Sequence, residues 1–515
     1  MLSVFKGNLW PYQQEAVERM TDRGQMLLGM VMGAGKTPTT LGAIEQLYEE
    51  GEVDRCLVIV PASLKYQWAR EISKFTDAKA TVIDGPKTKR NAQWKFSKNS
   101  RYVIVNSETL VNDLSQLGTI QAVVVDESTM IKNRSAKRSR LVKRVGKTVP
   151  YRFALTGQPI ENRPEELFSI MEFVDKDVLG DFKTFDRTFI VRDHWGKPTR
   201  YRNLDKMHRV MQECMVRKTR DDIKDQLPDI IHQTIPVPFD TRGGALYKYI
   251  SNDLLIKISD AMSKAKGSFN LWAHYNGGGG DDSQGQIMSR LTVLRMLCDN
   301  PGLIEESAKE YADKNSPLGS AYAHDIVRQG RLEGVNSAPK LEACVEYIQQ
   351  VLDENPDNKV VLFSFFKKNL RLIQEATKSM TDSVLFMGGM SSEERDASKQ
   401  RFTDDPKCRL FLSSDAGGYG VDLPIANYLI SYDLPWSSGK LEQREARIIR
   451  LSSEFPHVTI ATFVMQGSIE ERQYEMLQVK RSVNEAFIDG KHYDNDGSME
   501  LSMDTLSQFL RESNV

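Results

Sequence analysis

The sequence predicts an α/β protein with two parallel sheets and a helical segment between them. Three observations carry this. Short, continuous apolar runs rich in β-branched residues recur; helix-period segments alternate with them; and the alternation returns after a differently patterned middle. An unbroken apolar run suits a strand covered on both faces, and strand–helix alternation is how parallel strands are joined.

In chain order, QMLLGMV (25–31) reads as a short strand, and residues 39–50 as a helix. CLVIV (56–60), YVIV (102–105), AVVVD (122–126) and RFALT (152–156) predict further strands, with a helix over 63–75. The middle, about 164–334, is dominated by helical periodicity. It contains NGGGGDDSQG (276–285), where no strand precedes the glycines and no GK[ST] follows. A flexible surface loop is expected there, not a second phosphate cradle. Strand runs resume after Pro339 with VVLFSF (360–365), SVLF (383–386), RLFLSS (409–414) and TIATFV (459–464). The expected domains are a first lobe, 1–235, with a helical protrusion at about 165–235; a helical insertion, 236–335; and a second lobe, 336–515, with a helical tail. At roughly 100–200 residues per domain, 515 residues accommodate about three units.

Composition narrows the function classes. No apolar run approaches the ~20 residues that span a bilayer, and the amino terminus lacks a signal-peptide pattern. No membrane partner is expected; the cytoplasm is the expected compartment, with the nucleus left open. The five cysteines stand singly and the seven histidines are dispersed. That argues against a zinc site or a disulfide framework. Net charge is −1, so no polyanion partner is announced by the whole chain. Two acid-free basic runs stand out: KTKRNAQWKFSKNSR (87–101) and KNRSAKRSRLVKRVGKTVPYR (132–152). Each is either a solvated face or a phosphate-tracking surface.

MGAGKT (32–37) ends like a phosphate-binding loop, although Met30 stands where the full pattern has its early glycine. A strand precedes it and a helix follows. The N–H groups of Gly33, Ala34 and Gly35 would face an anion at a helix amino terminus. Lys36 would neutralise β- and γ-phosphate charge, and Thr37 would offer a hydroxyl to Mg²⁺. Asp126 ends an apolar strand on the side of a parallel sheet where ligands bind. It would hold Mg²⁺ through water, and Glu127 would orient and deprotonate an attacking water. A single Asp-Glu pair is commonly two surface acids; the strand, the pair and the upstream GKT together are rarer.

These segments, with others in order along nearly the whole chain, make the sequence similar to the Swi/Snf-like branch of superfamily-two helicases and translocases. WPYQQE (10–15) resembles the adenine-reading Q motif, MGAGKT motif I, VPASLKYQWAREISKF (60–75) motif Ia and IVNSETL (104–110) motif Ib. VVDESTMIKN (124–133) resembles motif II, and LTGQPIENRPEELFSIM (155–171) motif III and its sequel. MVRKTRDDIKDQLPD (215–229) and LTVLRMLCDNPGLI (291–304) resemble the helical blocks this branch inserts between its lobes. VVLFSFF resembles motif IV, LSSDAGGYGVDL (412–423) motif V and QREARIIR (443–450) motif VI.

The resemblance implies two tandem RecA-like lobes, ATP with Mg²⁺, and DNA as partner. It makes Gln13 the candidate base contact and adds Gly420 and Asp422 to the ATP set. Arg447 and Arg450 become arginine fingers, three apart on an expected helix and so on one face. Ser63, Ser107, Thr156, Ser364, Ser413 and Ser414 are candidate phosphate contacts, and Trp436 either stacks on a base or packs between the lobes. Thr129 replaces the usual His, Gln158 a Thr, and Ala446 takes a small-residue position; Thr129 could still hydrogen-bond toward motif III. The implied function is ATP-driven translocation on double-stranded DNA to remodel branched structures. Two other readings stay open: a remodeller that displaces a bound protein, docked through the insertion or tail, and an ATP-dependent clamp.

Overall fold

The computed structural model describes residues 5–160, 164–192, 198–264, 282–313, 318–415, 421–489, 507 and 510–511. The chain forms two compact units, built mainly on Met1–Leu227 and Pro228–Arg481.

The first unit contains β1 (Gln25–Met30), β2 (Cys56–Ile59), β3 (Ala80–Val82), β4 (Tyr102–Val105), β5 (Ala122–Val125), β6 (Tyr151–Leu155) and β9 (Met215–Lys218). They form one sheet in the order β3-β4-β2-β5-β6-β1-β9, parallel throughout. Every residue of β2, β4 and β5 is buried, which is why those runs carry no polar alternation. β6 lies between β1 and β5, with Leu28 opposite Leu155 and Val125 opposite Ala154. The carboxyl ends of these three strands therefore share one rim. A small antiparallel pair, β7 (Ile190–Arg192) and β8 (Pro198–Tyr201), stands apart from this sheet.

MVRK departs from expectation. It is not part of a helical block but the edge strand β9, running parallel to β1. Only a short 3₁₀ segment, Asp221–Gln226, follows. Four residues with one charged pair give too little periodicity to separate strand from helix.

The second unit contains β10 (Asp229–Val237), β11 (Val360–Phe363), β12 (Asp382–Phe386), β13 (Cys408–Ser413), β14 (Tyr428–Ser431) and β15 (His457–Met465). Their order is β10-β15-β14-β11-β13-β12, again all parallel. Residues 229–235 were assigned to the first lobe by sequence; here they belong to β10 and pair with β15 from Asp229–His457 to Val237–Met465. Helices Thr241–Lys264, Asp282–Asp299 and Ala321–Arg328 contribute Ile250, Leu294 and Ile326 to one core with Leu362 and Phe463 of the sheet. The helical insertion thus shares the second unit's core. Of the expected 276–285 loop, residues 276–281 lie outside the described residues, and 282–285 begin a helix instead.

Behind this sheet Lys340 is fully buried between Asp299, at 3.0 Å, and Glu470, at 2.5 Å. Asn369 donates to the Asp299 carboxylate as well, and the Tyr432 hydroxyl to the Asp299 backbone carbonyl. Three charges out of water are tolerated only with such complete pairing. The five cysteines are buried and free.

Candidate functional site

Strand β1 delivers the chain to the loop 31–35, and a helix, Lys36–Glu49, leaves it. Gly33 and Gly35 hold φ of 84° and 76°, backbone that side chains rarely adopt. A Cβ on Gly35 would also lie 2.2 Å from the Gln13 amide nitrogen. The Ala34 carbonyl accepts two hydrogen bonds, from Gln13 Nε2 and Tyr12 Oη, both at 3.0 Å. Gln13 Oε1 in turn accepts from the Trp10 N–H at 2.9 Å. Both ends of the Gln13 amide are therefore committed within the protein, so in this structure it braces the loop where the sequence made it a base contact. Tyr12 shares that work and was not singled out by sequence.

The Lys36 ammonium folds back on the end of β1, 3.1 Å from the Met30 carbonyl oxygen. Met30 therefore serves the loop through its backbone, and a side chain at that position does no harm. Thr39 and Thr40 return their hydroxyls to the carbonyls of Gly35 and Lys36, each at 2.8 Å. Thr37, half-buried in the same turn, has no such bond among the described residues. Its hydroxyl and the Asp126 carboxylate are hard oxygen donors, the chemistry Mg²⁺ prefers, and a site of few protein ligands plus phosphate oxygens is its usual form.

Asp126 follows β5 and is buried. Its Oδ2 accepts from the Trp68 indole at 2.8 Å, and its Oδ1 from the Glu127 N–H at 2.8 Å. Burial raises its proton affinity, against the opposing pull of Trp68, Lys36 and the Glu127 N–H. Trp68 stands on the helix Lys65–Phe75, in the segment resembling motif Ia, and sequence gave it no role. Glu127 has φ 48°, ψ 56°, a left-handed conformation that costs a non-glycine residue about 1–3 kcal/mol.

The loop after β6 sits between these two parts. Thr156 donates its N–H to Leu28, and its buried hydroxyl accepts from the Gln158 N–H at 3.1 Å. A Cβ on Gly157 would meet Met32 of the phosphate loop at 2.7 Å. Arg217 on β9 donates to the carbonyls of Gly29, at 2.7 Å, and Gly157, at 3.2 Å, tying β1 to this loop. Among the described residues Thr129 makes no side-chain hydrogen bond toward this loop, a bond its sequence left possible.

In the second unit the helix Ser438–Glu445 ends before the predicted fingers. Arg447 and Arg450 stand in the turn beyond it, not on a helix face, because the N–H groups of 447 and 448 bond back only three residues. Arg447 donates to the Val421 carbonyl at 3.3 Å, and Arg450 is ion-paired with Asp422. The turn is thereby stitched to 421–422; Gly420 lies outside the described residues. Arg444, not singled out by sequence, is buried, forks onto Asp415 at 2.6 and 3.0 Å, and donates to the Asp433 carbonyl.

The proposed track residues divide by burial. Ser63 is exposed on the 3₁₀ turn Ala62–Leu64. Ser107, Thr156, Ser364, Ser413 and Ser414 are buried. Ser364 donates to Asp433 at 2.6 Å, Ser413 to the Ser414 carbonyl at 3.2 Å, and Ser414 accepts from the Gly388 N–H at 3.2 Å. These hydroxyls hold strand ends in place. Trp436 is buried in the second unit's own core, with the Arg295 guanidinium 5.4 Å from its ring.

A family model of the SNF2-related domain matches residues 12–303, and one of the helicase conserved C-terminal domain matches 340–452. The chain belongs to the SNF2-related family. Among SNF2-related relatives, YwqA of Bacillus subtilis, named for an ATP-dependent helicase/translocase, is 24% identical over 95% of this chain. The DNA repair and recombination protein RAD54 of Saccharomyces cerevisiae is 25% identical over 94% of it. The chain spans only 50% and 55% of their lengths. The Sulfolobus solfataricus SWI2/SNF2 ATPase core in complex with dsDNA aligns over 99% of this chain and 98% of its own, at 24% identity and a TM-score of 0.42. Among the described residues no helix is long and apolar enough to cross a membrane.

Proposed function

We propose that the chain hydrolyses ATP and uses the energy to move along double-stranded DNA, remodelling branched structures such as forks or junctions. The observation that carries this is the first unit's rim, where Lys36, Thr37, Asp126 and Glu127 arise from the ends of β1 and β5 with only β6 between them. The family and the printed names of its relatives support ATP and DNA as the chemistry served.

In this reading the loop N–H groups and Lys36 hold the phosphates. Thr37 and Asp126 would bind Mg²⁺, which when bound would neutralise charge on the phosphate oxygens. Trp68 fixes the Asp126 carboxylate so that one oxygen keeps its direction. Glu127, held in its left-handed conformation, takes a proton from the attacking water. Arg447 and Arg450 supply guanidinium charge to the γ-phosphate. Ser63 is the exposed phosphate contact on the track.

The test is ATP turnover measured with duplex, single-stranded and forked DNA and with RNA. Duplex or forked DNA should stimulate most; greatest stimulation by RNA overturns the DNA reading. Lys36→Ala and Glu127→Gln should each lower turnover by at least about 10², and Glu127→Gln should keep ATP binding. Translocation surviving in either variant would remove these residues from the chemistry.

A further inference from the structure

The sequence of the basic run 132–152 fits either a solvated face or a phosphate-tracking surface. The structure gathers part of it around a cavity of about 490 Å³ lined by Arg134, Ser135, Arg140, Lys143, Arg144, Lys147 and Glu172. Five cations thus face one carboxylate. That carboxylate is already engaged: Glu172 accepts both Arg134 bonds, at 2.7 and 2.9 Å, and one from Lys143 at 2.8 Å. Lys143 also donates to Ser169 at 2.7 Å. Arg134 is braced further, 4.5 and 4.9 Å from the ring centres of Phe182 and Phe168. One wall is therefore rigid before any ligand arrives.

The other wall is free. Arg140, Arg144 and Lys147 are exposed and have no ion-pair partner among the described residues. They belong to or directly follow the helix Lys137–Gly146, spaced i, i+4, i+7, which puts them on one face over about 10 Å. A row of that length outreaches a single phosphate and suits consecutive phosphates of a strand.

We propose that this cavity is a second phosphate-binding site, taking the sugar–phosphate backbone of a nucleic-acid arm other than the one the motor tracks. The inference rests on the DNA reading above and extends it: a branched substrate has a second arm to hold. With the one lining carboxylate, Glu172, already bonded to Arg134 and Lys143, the regular row of cations favours a continuous polyanion over an acidic peptide, whose side chains space their charges irregularly.

The experiment compares the full chain with the triple variant Arg140→Ala/Arg144→Ala/Lys147→Ala, all exposed positions. Binding of a linear duplex and of a four-way junction is measured across a salt series, with poly-glutamate as a competing probe. At about 0.9 per lost phosphate contact, the slope of log K against log salt for the junction should flatten by up to about 2.7. ATP turnover at saturating linear duplex should stay within about twofold. Equal slopes and affinities in both proteins overturn the inference alone. So does a loss confined to poly-glutamate binding, which assigns the cavity to an acidic peptide. Failure of the unaltered chain to bind any nucleic acid overturns the function proposed above as well.

Discussion

In the first unit the groups proposed to carry the chemistry stand at the ends of strands lying side by side, whereas in the second they hang from a turn beyond a helix. The spacing of Lys36 and Glu127 follows from β1, β6 and β5, whose backbone ladders fix it. Arg447 and Arg450 have no ladder. Their turn is held by bonds to Val421 and Asp422, and by the buried Arg444 fork on Asp415 and Asp433. The sheet that carries them rests on another enclosed charge set, Lys340 with Asp299 and Glu470. Backbone geometry does in one unit what ionic bonding does in the other.

The comparison is tested most sharply at the arginines. Arg447→Ala or Arg450→Ala should lower turnover by about 10³–10⁵ if they act as fingers, with ATP binding kept. A loss under tenfold in both would make them ties to 421–422 only. Next in size is Lys340→Met, which strands two buried carboxylates. It should destabilise the second unit by about 3–5 kcal/mol, read by denaturant unfolding, and leave the first unit's transition in place. A shift of both together would show that the units do not unfold independently. Trp68→Phe keeps an aromatic side chain, smaller than the buried indole, and removes the bond to Asp126. A buried hydrogen bond to a charged group is worth about 1.5–3 kcal/mol, and the loss should fall on the first unit together with a lower kcat. An unchanged kcat would limit Trp68 to packing.

The smallest effect is a pH dependence within the first unit. The hydrogen bonds from Arg90 outweigh the cost of burial and, helped by Trp94, hold the Asp113 carboxyl below its usual 3.8. A depressed carboxyl stabilises the fold above its unfolded value, and that contribution is lost as pH falls through the lower folded one. Acid unfolding of the first unit should therefore begin below about pH 4, and Arg90→Ala should move it upward. No movement would mean that the half-buried Arg90 contributes nothing measurable.

Much of this was legible in the sequence. The runs at 56–60, 102–105, 122–126 and 360–365 became strands because double-sided burial leaves an unmistakable apolar stretch. What escaped were elements whose partners lie far along the chain. β10 reads DIIHQTIPV, largely exposed and carrying Pro236, which an edge strand tolerates and a central one does not. β9 (MVRK) and β14 (YLIS) are as short as β2, β4 and β5 but lack their unbroken run of apolar residues. At the site, residue types were readable and partners were not. Nothing in KYQWARE announces that Trp68 reaches Asp126, 58 positions away. Nothing in WPYQQE says that Gln13 would face the loop carbonyl of Ala34. The hydroxyls at 364, 413 and 414 were the weakest reading, since a serine at a strand end looks the same from outside whether it faces solvent or a buried Asp433.

Glu127 has a practical corollary for anyone altering this protein. Its backbone angle is one glycine accepts freely and asparagine more readily than glutamate. A library ranked on melting temperature alone would enrich those replacements at 127 and, on the role proposed for Glu127, hand back a sturdier, inert chain. Selection for durability should hold that position constant and look for its gains elsewhere.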